Sequence, residues 1–211
     1  MASSLVAPEL ATIKVDGMTR ESFLMRSTLA AGAAYGAMSA TGLISSALAD
    51  SGGGDVDILN FALTLEYLET EFYTLAAKQV KGLSSYESKL TKELRDNEAE
   101  HVDALTATIK QLGGKPVAKP TFDFGGAFGN RVSYFKTANV LEDTGVSAYN
   151  GAAPMISSVE VLAAAGGIVQ VEARHAAMIR LVRNKQPAPK AFDAASKMDE
   201  VLTAVKPFIK G

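Results

Sequence analysis

The sequence predicts an all-α protein: a four-helix bundle with a long crossover between its second and third helices and a short C-terminal helix. Three observations lead there. From residue 56 onward, apolar side chains recur at steps of three and four, the period of one helix face. Glycine and proline gather at a few breaks, around 82, 113–130, 154 and 185–190. No run alternates apolar and polar residues as a half-buried strand would.

The first helix is expected in VDILNFALTLEYLETEFYTLAAKQV (56–80), with Asp55 or Asp57 as N-cap and Gly82 as stop. The second begins near Ser84 or Ser85 and ends at Gly113-Gly114. KPVAKPTFDFGGAFGN (115–130) holds two prolines and three glycines, too many for a long helix, and it is long for a bundle connection. That length lets the third helix run parallel to the second. RVSYFKTANVLEDTGVSAYNGA (131–152) is the third helix, bounded by Pro154. The fourth covers 156–184, with Gly166-Gly167 as a weak spot or close-packing point. AFDAASKMDEVLTAVKPFI (191–209) reads as the C-terminal helix. Residues 55–211 thus form one domain.

Composition narrows the function. The 211 residues carry 21 basic and 23 acidic side chains and no cysteine. The absence of a basic cluster argues against nucleic acid as a partner, because such affinity comes from neutralised phosphates. Without cysteine there are no disulfides, thiolate metal sites or cysteine nucleophiles.

Residues 1–54 read differently. MTRESFLMR (18–26) supplies Arg20 and Arg26, and an uncharged stretch rich in Ala, Gly and Ser runs over 27–49. It ends at Ala47-Leu48-Ala49, before the polar break DSGGGD. This is the pattern of an export signal cleaved near Ala49, followed by a flexible linker. TRESFL resembles a twin-arginine signal, with Glu21 in place of the second arginine. An uncleaved membrane anchor is the rival reading, since 23 uncharged residues could cross about 30 Å of hydrocarbon. Its Gly, Ser and Thr content makes it a poor one. The protein is therefore expected in the periplasm, envelope or medium, touching a membrane only through this signal.

The chemistry lies in the two histidines. Glu98 precedes His101 by three residues, and Glu172 precedes His175 by three. The first helix adds Glu66 with Tyr73 seven residues on, and the third adds Glu142 with Tyr149 seven residues on. The chain therefore reads as two helical hairpins of one design, Glu-x6-Tyr then Glu-x-x-His. Residues i and i+3 lie about 5–6 Å apart on one helix face, so each pair can grip an ion. One Glu-x-x-His is a weak sign, usually an exposed polar pair worth a few tenths of a kcal/mol. Two of them, with a glutamate on each remaining helix, match the pattern of dinuclear carboxylate bundles. Four inward carboxylates would repel each other and suffer desolvation unless they were protonated or neutralised by cations. Oxygen and imidazole ligands without sulfur suit two iron or manganese ions, with zinc able to intrude. Glu69 and Glu71 read as a solvated or helix-pairing face, with Glu69 the better spare ligand. Tyr73 is a candidate redox participant, although both tyrosines also suit core packing. Tyr149, Arg174 and Glu100 are candidates to orient ligands, the last two also reading as surface charges.

DILNFALTLEYLETEFYTLA, NEAEHVDAL, GGKPVAKPTFDF, LEDTGVSAYNGAAP and VEARHAAMIRLV together resemble the ferritin-like domain family that includes bacterial desiccation-related proteins. The resemblance covers about residues 55–210 and implies a ferritin-like bundle with a dinuclear site. The first helix is similar to that of bacterioferritins, where a ligand glutamate precedes a tyrosine by seven. This implies Glu66, Glu98, His101, Glu142, Glu172 and His175 as metal ligands, with Glu66 rather than Glu69. Related oxygen-activating enzymes often carry aspartate where Asn97 and Val171 stand, which implies that a hydrogen bond to histidine is missing here.

The leading expectation is a redox metalloprotein acting on peroxide or oxygen in stress protection, with ferroxidase, peroxidase and manganese-catalase chemistry all compatible. Glu98 and Glu172 would bridge the ions, and Glu66 and Glu142 would be terminal. The alternative is a non-enzymatic envelope or desiccation-stress protein whose metal is structural or lost. A homo-oligomer is compatible with the sequence. A hollow iron-storage cage fits poorly with an exported chain.

Overall fold

A computed structural model describes residues 54–210. The expected export signal and its cleavage point lie outside the described residues. Four long helices are present: α1 Asp55–Gln79, α2 Ser85–Gln111, α3 Arg131–Ala152 and α4 Val159–Val182. A short α5, Met198–Val205, follows. The expected bundle is the observed one.

Local chemistry sets most of the ends. Ser84 caps α2, accepting from the Glu87 N–H while Glu87 Oε2 accepts from Ser84 N at 2.8 Å. Asn130 caps α3 by accepting from the N–H groups of Val132 and Ser133. Gly113 adopts a left-handed φ of 78°, and Gly114 N–H returns to Ile109 O, closing α2. The start of α1 differs from expectation. Its helix already includes Asp55, with Gly54 at the cap position. The Asp55 carboxylate accepts instead from Ser157 N and Ser158 N, at 2.7 and 2.8 Å, and so joins the start of α1 to the entry of α4.

These contacts also give the helix directions. Asn60, near the start of α1, bonds Lys115 O and Val117 N just after α2 ends, so α1 and α2 are antiparallel. Arg131 at the start of α3 pairs with Glu87 at the start of α2 and donates to Val182 O at the end of α4. The crossover therefore makes α2 and α3 parallel. Its Phe124 and Phe128 rings close one end of the bundle, each 5.2 Å from the Phe72 ring.

Three expectations are corrected. Residues 191–197 are not helical: Ser196 N–H donates to Ser147 O, and Asn150 donates to Ala194 O, so this segment lies extended along α3. Gly151 permits that approach, since a β-carbon there would fall 1.9 Å from Ser196 O. A small antiparallel pairing joins Thr121–Phe122 to Ile209–Lys210. Gly166 and Gly167 neither break α4 nor mark a close approach, because a β-carbon on either would meet no atom within 4 Å.

Candidate metal centre

The helix period puts Glu66, Glu98 with His101, Glu142, and Glu172 with His175 on the inward stripes of α1 to α4. All four glutamates are completely buried, and the histidines are 9% and 1% exposed. Glu98 divides its oxygens, with Oε2 3.0 Å from His101 Nδ1 and Oε1 2.8 Å from His175 Nδ1. Glu172 does the same, at 3.0 Å from His101 and 3.9 Å from His175. Glu66 Oε2 stands 3.3 Å from His101 Nδ1, and Glu142 Oε2 stands 3.5 Å from His175 Nδ1. Two sets of four donors result, each with its donor atoms within 4.8 Å of one another: Glu66, Glu98, His101 and Glu172, then Glu98, Glu142, Glu172 and His175. Glu98 and Glu172 belong to both.

Whether these groups suit cations can be judged from their hydrogen bonding. Glu98 Oε1, Glu142 Oε2, both Glu172 oxygens and His175 Nδ1 are buried without a hydrogen-bond partner, despite the short separations. Orphaned buried polar atoms cost about 1–3 kcal/mol each. Carboxylate oxygens and imidazole nitrogens converging in this way are hard and borderline donors, suited to iron, manganese or zinc. The six residues fit such ions.

In the metal-free protein, protons share the work of neutralisation. Burial raises the Glu66 carboxyl to about 7, against the opposing pull of His101. Burial, then the charges of Glu98 and Glu66, pushes Glu172 well up. Burial also raises Glu142. Burial would raise Glu98 too, but the two histidines outweigh it and hold Glu98 at about 2. Burial disfavours charged imidazoles, yet the surrounding carboxylates win and push His101 to about 12 and His175 to about 11.

The tyrosines cross between hairpins. Tyr149 on α3 donates to Glu66 Oε1 on α1 at 2.5 Å, and Tyr73 on α1 donates to Glu142 Oε1 on α3. Each therefore orients a glutamate of the opposite hairpin. Asn97 overturns the expectation of a missing bond, because its side chain lies 3.0 Å from His175 Nε2. This leaves Nδ1 facing the carboxylates. Val171, the equivalent residue on α4, has no polar side chain to offer. Glu100 and Arg174 are exposed and bond to none of the site residues. One position before an inward histidine is a rotation of about 100° around the helix, which turns both toward solvent. Their part as surface charges is the observed one.

Glu69, expected on a solvated or helix-pairing face and as a better spare ligand than Glu71, lies inside. It is 2% exposed, whereas Glu71 lies at the surface, paired with Lys119 at 2.5 Å. The signal for this was its place one turn after Glu66 on the same inward stripe.

Four helices carry two Glu-x-x-His pairs and two further glutamates into one core, a buried carboxylate and histidine cluster able to hold metal ions. A family model described as a ferritin-like domain matches residues 54–185, and the chain belongs to that family. No curated protein matches the chain. Among the described residues, no helix is long and apolar enough to cross a membrane.

Proposed function

We propose that this is an exported ferritin-like protein whose two metal ions, iron or manganese, carry out redox chemistry on peroxide or oxygen in stress protection. The observation supporting it most is the sharing of Glu98 and Glu172 between two four-donor sets in a sealed core. Four carboxylates and two neutral imidazoles balance two divalent ions, whereas a lone structural ion would leave half of the donors over. Iron or manganese would supply one electron per ion.

The side chains have separable tasks in this reading. Glu98 and Glu172 span the two positions, while Glu66 and Glu142 each serve one. Tyr149 and Tyr73 hold those terminal glutamates by donating to their outer oxygens. Asn97 lies beside His175 Nε2, and with its amide turned so that Oδ1 accepts from Nε2–H it would keep Nδ1 for the ion. Tyr73 would be the source of a further electron through the hydroxyl bonded to Glu142. Binding requires both imidazoles to lose a proton, so loading and proton release are coupled.

The test is anaerobic loading of the metal-free protein with Fe(II), then addition of oxygen or peroxide. Growth of ferric charge-transfer absorption together with loss of peroxide is expected. Neither signal, with zinc alone recovered at full occupancy from the native host, would leave a structural metal protein instead. Cell fractionation with and without residues 1–54 tests export.

A further inference from the structure

The two hairpins share one pattern, and it breaks at the inward position three residues after the first glutamate of each. Three residues after Glu66 stands Glu69, but three residues after Glu142 stands Gly145. The two residues face the same space. A β-carbon on Gly145 would lie 3.3 Å from Glu69 Oε1 and 3.6 Å from Glu69 Oε2. It would also lie 3.6 Å from Glu172 Oε2. Glycine on α3 therefore leaves room for a carboxylate from α1, beside a glutamate common to both donor sets.

Glu69 is buried and its Oε1 has no hydrogen-bond partner. Among the described residues, no basic side chain pairs with it. A buried glutamate with neither donor nor counter-charge needs a reason for its place in the core. Its neighbour supplies one. Glu172 Oε2 is the oxygen turned toward His175, while Oε1 faces His101. The strongest charge repulsions on Glu69 come from Glu172 and Glu142, both members of the His175 set.

We infer that Glu69 is a seventh metal ligand, belonging to the ion held by Glu98, Glu142, Glu172 and His175, so that the two metal positions are inequivalent. Glu69 stands outside the two four-donor sets as they are arranged without metal, and a side-chain rotation across the Gly145 gap brings it in. Asn97 braces the histidine of the same position. A fifth carboxylate beside two divalent ions leaves one negative charge over, which favours a higher charge on the ion at this position. The inference rests on the dinuclear reading above.

Its test is titration of the metal-free full chain with Co(II), followed by visible ligand-field absorption, and with Mn(II), followed by calorimetry. The wild type is expected to show two separable steps. Glu69→Gln, which keeps the side-chain shape, should weaken one step by about tenfold or more, leave the other within about twofold, and change the Co(II) spectrum of the weakened step. Gly145→Ala crowds the same carboxylate from the opposite side, in a helix interior that favours alanine, and should weaken that same step. Two wild-type steps and a spectrum unchanged by Glu69→Gln overturn the inference alone, as does equal weakening of both steps. A wild-type chain that takes up neither ion removes the dinuclear reading as well, so the two failures are distinguishable.

Discussion

Glu172→Leu separates a metal-seeking carboxylate from a structural one. Glu172 is completely buried, and neither of its oxygens has a hydrogen-bond partner. At about 1–3 kcal/mol for each orphaned atom, leucine of similar volume should stabilise the metal-free protein by roughly 2–4 kcal/mol. The opposing term is the support Glu172 gives the protonated His101, which trims the upper end of what two orphaned atoms would cost. His101 loses its 3.0 Å neighbour but keeps Glu98 at 3.0 Å and Glu66 at 3.3 Å. For a domain of this size, about 2–4 °C per kcal/mol predicts a Tm higher by roughly 4–16 °C. Metal reverses the balance. Saturation at a hundred times Kd adds about 2.7 kcal/mol per site to the wild type, while the variant has lost a donor from both sets. Calorimetric scans in chelator and in excess Mn(II) read both effects. A variant that melts below wild type in chelator would refute the reasoning, because Glu172 would then be part of a satisfied structural network.

Further expectations concern protons, orientation and local stability. With His101 at about 12 and His175 at about 11 in the metal-free state, loading should release at least two protons, and metal affinity should rise with pH through the neutral range. Calorimetry in buffers of different ionisation heat measures this. The same raised values stabilise the metal-free fold fully below about pH 6.5, and that contribution is lost as pH rises through about 11 to 12. Asn97→Ala should lower affinity at the His175 position about 10–100-fold, with Asn97→Asp restoring it, as measured by Co(II) titration. Ser84→Ala removes the α2 cap and should cost about 1 kcal/mol, seen as a lower Tm with unchanged metal uptake.

Features that depend on neighbours along the chain can be read from residue order alone. Helix period, Ser84 and Gly113 set α2, and the three-residue spacing put Glu98 and His101 on one stripe. The two hairpins and the six candidate ligands were legible for that reason. Contacts between distant segments decided the rest. Residues 191–197 have helix-compatible composition but lie extended, because Gly151 lets their backbone bond to α3. Asn97 looked like the loss of an aspartate, yet its amide reaches His175 on another helix. Glu69 and Glu71 differ in sequence by two positions, roughly 200° around a helix; the spacing from Glu66 favours Glu69 as the inward one, but the space that takes its carboxylate is set by α3. Gly145, which makes room for Glu69, is 76 residues away in the chain. Periodicity ranks faces within a helix, but the space opposite each face belongs to another part of the chain.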